Sequence, residues 1–426
     1  MSRVSSVVRS DDEPATQTVA EVHRGFACID GLRAIAALLV FLYHGSILLG
    51  MGGFMTRHWD VIGLFGPMGV CIFFVISGFL LYRPFLVTLI GGERFPSFSA
   101  FWARRFARIL PAYWLALAVV TLVTSQIEIP SVGDGLTFFG LVQNYRTDYV
   151  NRGMDVAWTL VIEMSFYLVI PVFAWLMAFA TRRAQSRRVL FWVNLAGVGA
   201  WFAGGTAVRI WDIWFRQGPR AAAAGWFDVQ ETTRWLPGYL HWFAGGMALA
   251  FIVEWSRRGG RMSRAIELLG RYPACSWALA GAFLAVDIAV DIPANVYQGT
   301  AVQGFLLTMF TPLFAVFLVL PAVIGHRRSA IRTALASPVM AWLGLVSYGI
   351  YLWHRPVMKE VLARTSGGGA RTGLLWIALR YGIVTVVTLA IAAASFYLLE
   401  QPVIRLARRF RSARPTRPGP AHAART

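Results

Sequence analysis

The chain has 426 residues, of which 57% are hydrophobic and only 14% charged, against about 25% charged in an ordinary soluble domain. Its formal charge of +19 comes from arginine, with Lys359 the only lysine, and the arginines fall in short segments between long apolar runs and in the C-terminal tail. That pattern excludes a soluble globule, and it reads as membrane topology rather than as a nucleic-acid surface.

Residues 1–24 are polar and mixed in charge, and they are expected to form a disordered cytoplasmic tail. Apolar runs near 20 residues then recur, continuous rather than alternating, so the expected fold is an all-α integral membrane bundle. Ten transmembrane helices are expected, at about 26–49, 63–89, 106–124, 157–180, 189–208, 238–255, 273–290, 303–325, 339–360 and 373–399. No small-residue cleavage site follows the first run, which reads as a retained span.

Arginine placement sets the orientation. With the N-terminus inside, the inward segments carry Arg83, Arg104, Arg105 and Arg108, then Arg182, Arg183, Arg187 and Arg188, then Arg257, Arg258, Arg261 and Arg264, then Arg327, Arg328 and Arg332. The outward segments are poorer, except for 209–237 with four arginines, so both termini are expected in the cytoplasm. Of the two long outward segments, 125–156 holds a short apolar piece, Leu136 to Val142, which reads as interfacial or re-entrant. The other contains Trp211, Trp214, Trp226 and Trp235, as befits a segment at the membrane interface. Residues 25–402 form one transmembrane domain, and the Arg- and Pro-rich 403–426 is expected to stay unfolded against anionic headgroups. Cys28, Cys71 and Cys275 have no metal-ligand spacing and read as packing residues, so no metal is expected.

The chemistry-bearing residues begin on the first span, FACIDGLRAIAALLVFLYHGSILL, where Arg33 and His44 stand eleven residues apart. Eleven residues make about three turns, so both leave one helix face, roughly 16 Å apart along the axis. An ionisable side chain within a span costs about 2.5–3.5 kcal/mol on insertion scales, which asks for a role. Snorkelling to the two surfaces is the bland account, and a polar path through the bundle is the functional one. Arg380, inside the last span, is expected to pair with a carboxylate.

The stretch DGLRAIAALLVFLYH resembles the opening of the membrane acyltransferase 3 family, whose hallmark is an arginine and a histidine separated by ten residues on the first helix. GVCIFFVISGFLL at 69–81, FWARRFARILPAYW at 101–114, AWTLVIEMSFYLVIP at 157–171, LVSYGIYLWHRPV at 345–357 and SFYLLEQP at 395–402 resemble the same family in the same order. Cys71 stands where the family usually has an acidic residue, and Met164-Ser165 replaces its usual polar pair. The resemblance implies an O-acyltransferase of the cell membrane that moves an acyl group, usually acetyl, from cytoplasmic acyl-CoA to a hydroxyl of a sugar or glycolipid.

Helix counting then places the residues. Arg33, Arg104, Arg105 and Arg108 fall at the cytoplasmic end, while His44, Glu163 and His354, with Trp158 and Trp353, are expected to share one depth in the outer half. In that arrangement the arginines hold the anionic end of CoA. His44 acts as general base, and Glu163 orients it or neutralises a nearby arginine. His354, Trp158 and Trp353 are then candidates for the acceptor side. Each has a structural counterpart: topology signals for 104–108, an ion pair for Glu163, an aromatic belt for His354. Ser77, Tyr113, Tyr167 and Tyr348 read as packing or interhelical hydrogen bonds. The acceptor is read as a cell-envelope glycan or glycolipid, with a glycosylated small metabolite such as a macrolide as the alternative, and a transporter as the rival from another class.

Overall fold

The computed structural model of the chain describes residues 26–49, 59–92, 95–146, 149, 152–183, 186–213, 234–290, 300–324, 329–365 and 373–412. The expected tail 1–24, residues 413–426, Arg327, Arg328, Trp214 and Trp226 lie outside these residues. Among the described residues every regular element is a helix. In chain order they are α1 (Ala27–Leu48), α2 (Trp59–Gly91), α3 (Phe98–Leu122), α4 (Val132–Phe139), α5 (Trp158–Thr181), α6 (Arg187–Trp211) and α7 (Leu240–Arg257). Then come α8 (Arg264–Arg271), α9 (Pro273–Ala289), α10 (Ala301–Ile324), α11 (Ala330–Leu335), α12 (Pro338–Leu345), α13 (Ser347–Thr365), α14 (Leu374–Ser395) and α15 (Gln401–Ser412).

Helices α1, α2, α3, α5, α6, α7, α10 and α14 are long and apolar enough to cross a bilayer, so the chain is a multi-pass membrane protein. Of the other two expected spans, one is present as a bent helix pair, while 339–360 yields no helix long and apolar enough to cross among the described residues. The 17-residue α9 meets α8 at a 100° bend, with Pro273 opening α9 where its missing N–H costs nothing. The 339–360 segment divides into α12 and α13 around Val346, and α13 carries Arg355, Lys359, Glu360 and Arg364 on what would be a span. Serines start the short pieces: Ser131, Ser263, Ser329 and Ser337 each accept from a backbone N–H of the first turn.

Helix α2 is apolar all round and sits at the centre, packed most extensively on α7 and α1. Its backbone touches that of α7. A Cβ at Gly246 would stand 1.8 Å from the Val75 carbonyl oxygen, and one at Gly78 would stand 2.2 Å from that of Phe243. Small residues permit this approach where no hydrophobic effect drives helices together. Phe74, Phe243 and Phe166 then stack across α2, α7 and α5 with centroids 4.5 and 4.0 Å apart. At one end of the bundle Arg83 Nε donates to Glu254 at 2.6 Å, and the Arg83 and Arg257 guanidiniums lie 5.1 and 5.0 Å from the Phe26 ring centre.

Two expectations are corrected. Residues 401–412 are helical rather than unfolded, and they follow α14 through a π turn at Phe396–Glu400. Pro402 supplies the reason: it lacks the N–H for the preceding turn and its ring crowds that carbonyl, and a widened turn before it relieves both. Among the described residues Arg380 pairs with no carboxylate. Its Nε donates to Thr365 Oγ1 at 2.9 Å and a terminal N–H to the Thr365 carbonyl at 3.0 Å, capping the C-terminal end of α13.

Candidate active site

Between α1, α2, α3, α5 and α13 lies a cavity, partly open to the outside, whose roughly 710 Å³ of empty space includes that open part. Along α2 its lining runs from Val70 to Leu81, eleven residues or roughly 16 Å of helix. One end is cationic, with Arg33 from α1 and Arg105 and Arg108 from α3. The other end is closed by Thr159 of α5 and Tyr351 of α13, whose hydroxyls are 2.6 Å apart.

Arg105 and Arg108 reach the cavity because they are three positions apart on one face of α3, while Arg104 points away and is exposed. No ion pair within 4 Å engages Arg33, Arg105 or Arg108 among the described residues, and Arg105 Nε is buried without a hydrogen-bond partner. The one carboxylate at the cavity is Glu163, whose Oε1 accepts from Ser77 Oγ at 2.9 Å and from the Tyr167 hydroxyl at 2.6 Å. Asp30 lies near Arg33, and Glu400 near Arg33 and Arg108, but neither lines the cavity, so its lining carries more positive than negative charge and suits an anionic ligand.

The histidines sit beyond the Tyr351 end. His44 Nδ1 and His354 Nε2 are 3.1 Å apart, and the Tyr351 ring centre is 5.9 Å from that of His354. His354 is fully buried and His44 half-buried. Arg355, beside His354, pairs with Asp155 at 2.6 Å, and Lys359 reaches the same carboxylate at 3.0 Å.

The structure thus divides the expected set differently. Arg33, Arg105 and Arg108 come together, as do His44 and His354, but Glu163 joins the arginines instead of the histidines. Helix register explains the shift. Helices α5 and α13 run antiparallel, with Asp155 level with Arg355 and Thr159 level with Tyr351. Glu163 therefore falls level with Ser347, seven residues and about 10 Å along α13 from His354. Trp158 and Trp353 line neither cavity nor pair: Trp158 packs on Tyr239 at 5.7 Å under the Arg234 guanidinium, and Trp353 is buried.

Of the hydroxyls read as packing, Tyr113 donates to Phe138 O at 2.7 Å and Tyr348 to Ile109 O at 2.9 Å, while Ser77, Tyr167 and Tyr348 also face the cavity. Thr159, Tyr351 and Asp155 went unsingled in sequence. Their positions one α5 turn apart, matching Tyr351 and Arg355 one α13 turn apart, were the available signal. No cluster of three or more His, Cys, Asp or Glu able to hold a metal occurs among the described residues.

Comparison with known proteins agrees with the motifs. The family model described as an acyltransferase domain matches residues 26–397. The chain is 26% identical over 395 residues to peptidoglycan O-acetyltransferase OatA of Listeria monocytogenes, covering 88% of this chain and 55% of that protein. It is 26% identical over 406 residues to nodulation protein 10 of Rhizobium leguminosarum bv. viciae, covering 88% of this chain and 93% of that one. With O-acetyltransferase OatA of Staphylococcus aureus it shares 25% identity over 391 residues, 88% of this chain and 56% of that protein. The chain thus spans about half the length of the O-acetyltransferases it matches. No solved structure matches it.

Proposed function

The chain belongs to the acyltransferase domain family, and from that premise we propose that it is an O-acyltransferase moving acetyl from acyl-CoA to a hydroxyl of a cell-envelope glycan in the plasma membrane. The observation that carries the reading is one elongated cavity with three arginines at one end, in no ion pair among the described residues, and a hydrogen-bonded histidine pair just past the other. Two relatives, an O-acetyltransferase and a peptidoglycan O-acetyltransferase, support acetyl and a glycan acceptor.

The cavity fits such a donor. Arg33, Arg105 and Arg108 are the groups that would hold its anionic part, because guanidinium forks match phosphate oxygens. The orphaned Arg105 Nε fits the same need. When bound, acyl-CoA supplies a thioester, an acyl group already activated for transfer to oxygen. Glu163, fixed by Ser77 and Tyr167, limits the net charge of the cationic end. At the other end His44 would take the proton of the acceptor hydroxyl as that oxygen attacks the acyl carbon, and the proton would pass to the CoA thiolate that leaves as the C–S bond breaks. By the positive-inside pattern the arginine end faces the cytoplasm and the histidine end the envelope.

Membranes containing the chain, given radiolabelled acetyl-CoA, test this. Label is expected in a glycan or glycolipid fraction with wild type and not with His44→Ala. Correctly inserted wild type that transfers no label and consumes no acyl-CoA would contradict the reading and favour a transport role.

A further inference from the structure

His354 was a candidate for acceptor contact, but its surroundings give it another task. It is 0% exposed, and its ring lies between Phe41 and Tyr351, with centroids at 6.3 and 5.9 Å. Both of its nitrogens are occupied, Nδ1 by the Ile350 carbonyl oxygen at 3.1 Å and Nε2 by His44 Nδ1 at 3.1 Å. No polar atom of its ring remains for a substrate.

The hydrogens follow from what each partner can do. A carbonyl oxygen only accepts, so His354 Nδ1 carries the hydrogen and donates to Ile350 O. A neutral ring with its hydrogen on Nδ1 has a bare lone pair on Nε2, and that lone pair faces His44 Nδ1. His44 Nδ1 must therefore be a donor as well. Its second neighbour, the Val40 carbonyl oxygen at 3.0 Å, asks for the same hydrogen. With the hydrogen on Nδ1, the lone pair of His44 is on Nε2, which has no partner among the described residues.

We infer that His354 is a positioning residue, holding His44 in the tautomer whose Nε2 is free to take the acceptor's proton. The arrangement is a relay of orientation and moves no proton itself: Ile350 O fixes His354, and His354 fixes His44. It is built into the helices, since each Nδ1 leans on the carbonyl four residues earlier in its own helix. The general logic is that of any buried group that selects the tautomer of a catalytic imidazole, where loss costs rate and spares binding.

The tautomer part stands without the proposed reaction. Nitrogen shifts of isotope-labelled histidine in the purified full chain distinguish a protonated ring nitrogen from a bare one. Wild type is expected to show His44 with protonated Nδ1 and bare Nε2, and a bare Nδ1 would overturn the inference whatever the enzyme does. The kinetic part rests on the acyl-transfer reading and uses two variants. His354→Gln places an amide oxygen close to where Nε2 accepts, whereas His354→Leu removes the acceptor. His354→Leu is expected to lower kcat about ten- to a hundredfold with donor KM within twofold of wild type, and to show mixed His44 tautomers. His354→Gln is expected to recover most of kcat and the single tautomer. Equal kcat in His354→Leu and wild type, or equal losses in both variants with the tautomer unchanged, would show that the pair is packing only. A wild type without transferase activity but with the expected tautomer would sink the function and leave the positioning intact.

Discussion

Glu163 accepts two hydroxyl hydrogen bonds at the cationic end of the cavity, and its charge opposes the binding of any anion there. Replacing it with Gln keeps a side chain of the same shape and removes that opposition. Glu163→Gln is therefore expected to lower donor KM by about fivefold, a Coulomb change on the order of 1 kcal/mol, while Arg108→Gln raises it by a similar factor. Steady-state kinetics in acyl-CoA checks both signs, and a raised KM in Glu163→Gln would assign the carboxylate to donor contact. Residues on a single helix were legible in sequence. Arg33 and His44 share a stripe because the α-helical repeat alone places them. The depth of Glu163 was not, because it depends on which α13 residue it faces, and no spacing along one helix fixes the register between two.

Helix α4 owes its place to polar groups of its own segment and of α3. Asp134 accepts from the Tyr149 hydroxyl and, at 2.7 Å, from Ser131 Oγ, and Tyr113 and Trp114 donate to the carbonyls of Phe138 and Phe139. The Tyr149 hydroxyl first, then Ser131, hold the Asp134 carboxyl below the ordinary carboxylate range. A carboxyl lowered on folding stabilises the folded state above its unfolded pKa of about 3.9, and loses that contribution as pH falls through the lower folded value. Amide exchange within 132–139 is expected to speed up in that acid window, and to be fast already at neutral pH in Asp134→Ala. Acid-insensitive exchange in wild type would contradict this. The α2–α7 contact gives a second test at this scale. Gly246→Ala forces a methyl onto the Val75 carbonyl and is expected to cost about 2 kcal/mol. Gly281→Ala, with nothing within 4 Å of the new methyl, is expected to be neutral or slightly stabilising. Thermal unfolding in detergent compares the two. The short apolar piece in 125–156 was visible as too short to span. Its docking was not, because the hydroxyl and indole that hold it belong to another helix.

Across the whole molecule, five of the six motif blocks, far apart in sequence, meet around one cavity, on α1, α2, α3, α5 and α13. The order of the apolar runs was legible because bilayer thickness dictates their length, though eight of the ten expected spans are single long helices among the described residues. The break at Val346 was not legible, since the apolar run is continuous across it, whereas the polar α8 before Tyr272–Pro273 fell outside the expected 273–290 span. Distant segments are also tied by the Arg83–Glu254 pair, whose side chains are 18% and 5% exposed. Glu254→Ala leaves a buried guanidinium unpaired and is expected to cost about 3 kcal/mol, read as a lower unfolding midpoint with no change in donor KM of the remaining folded enzyme.

The central claim is that the cationic cavity receives the donor while the histidine pair does the chemistry. CoA release by purified protein, followed against acetyl-CoA concentration in the presence of acceptor, separates these two assignments most directly. The account predicts that Arg33→Gln and Arg105→Gln raise donor KM with a modest fall in kcat, and that His44→Ala lowers kcat by about a hundredfold or more at nearly unchanged KM. Arginine variants with wild-type donor KM, or a His44→Ala enzyme with wild-type kcat, would contradict it.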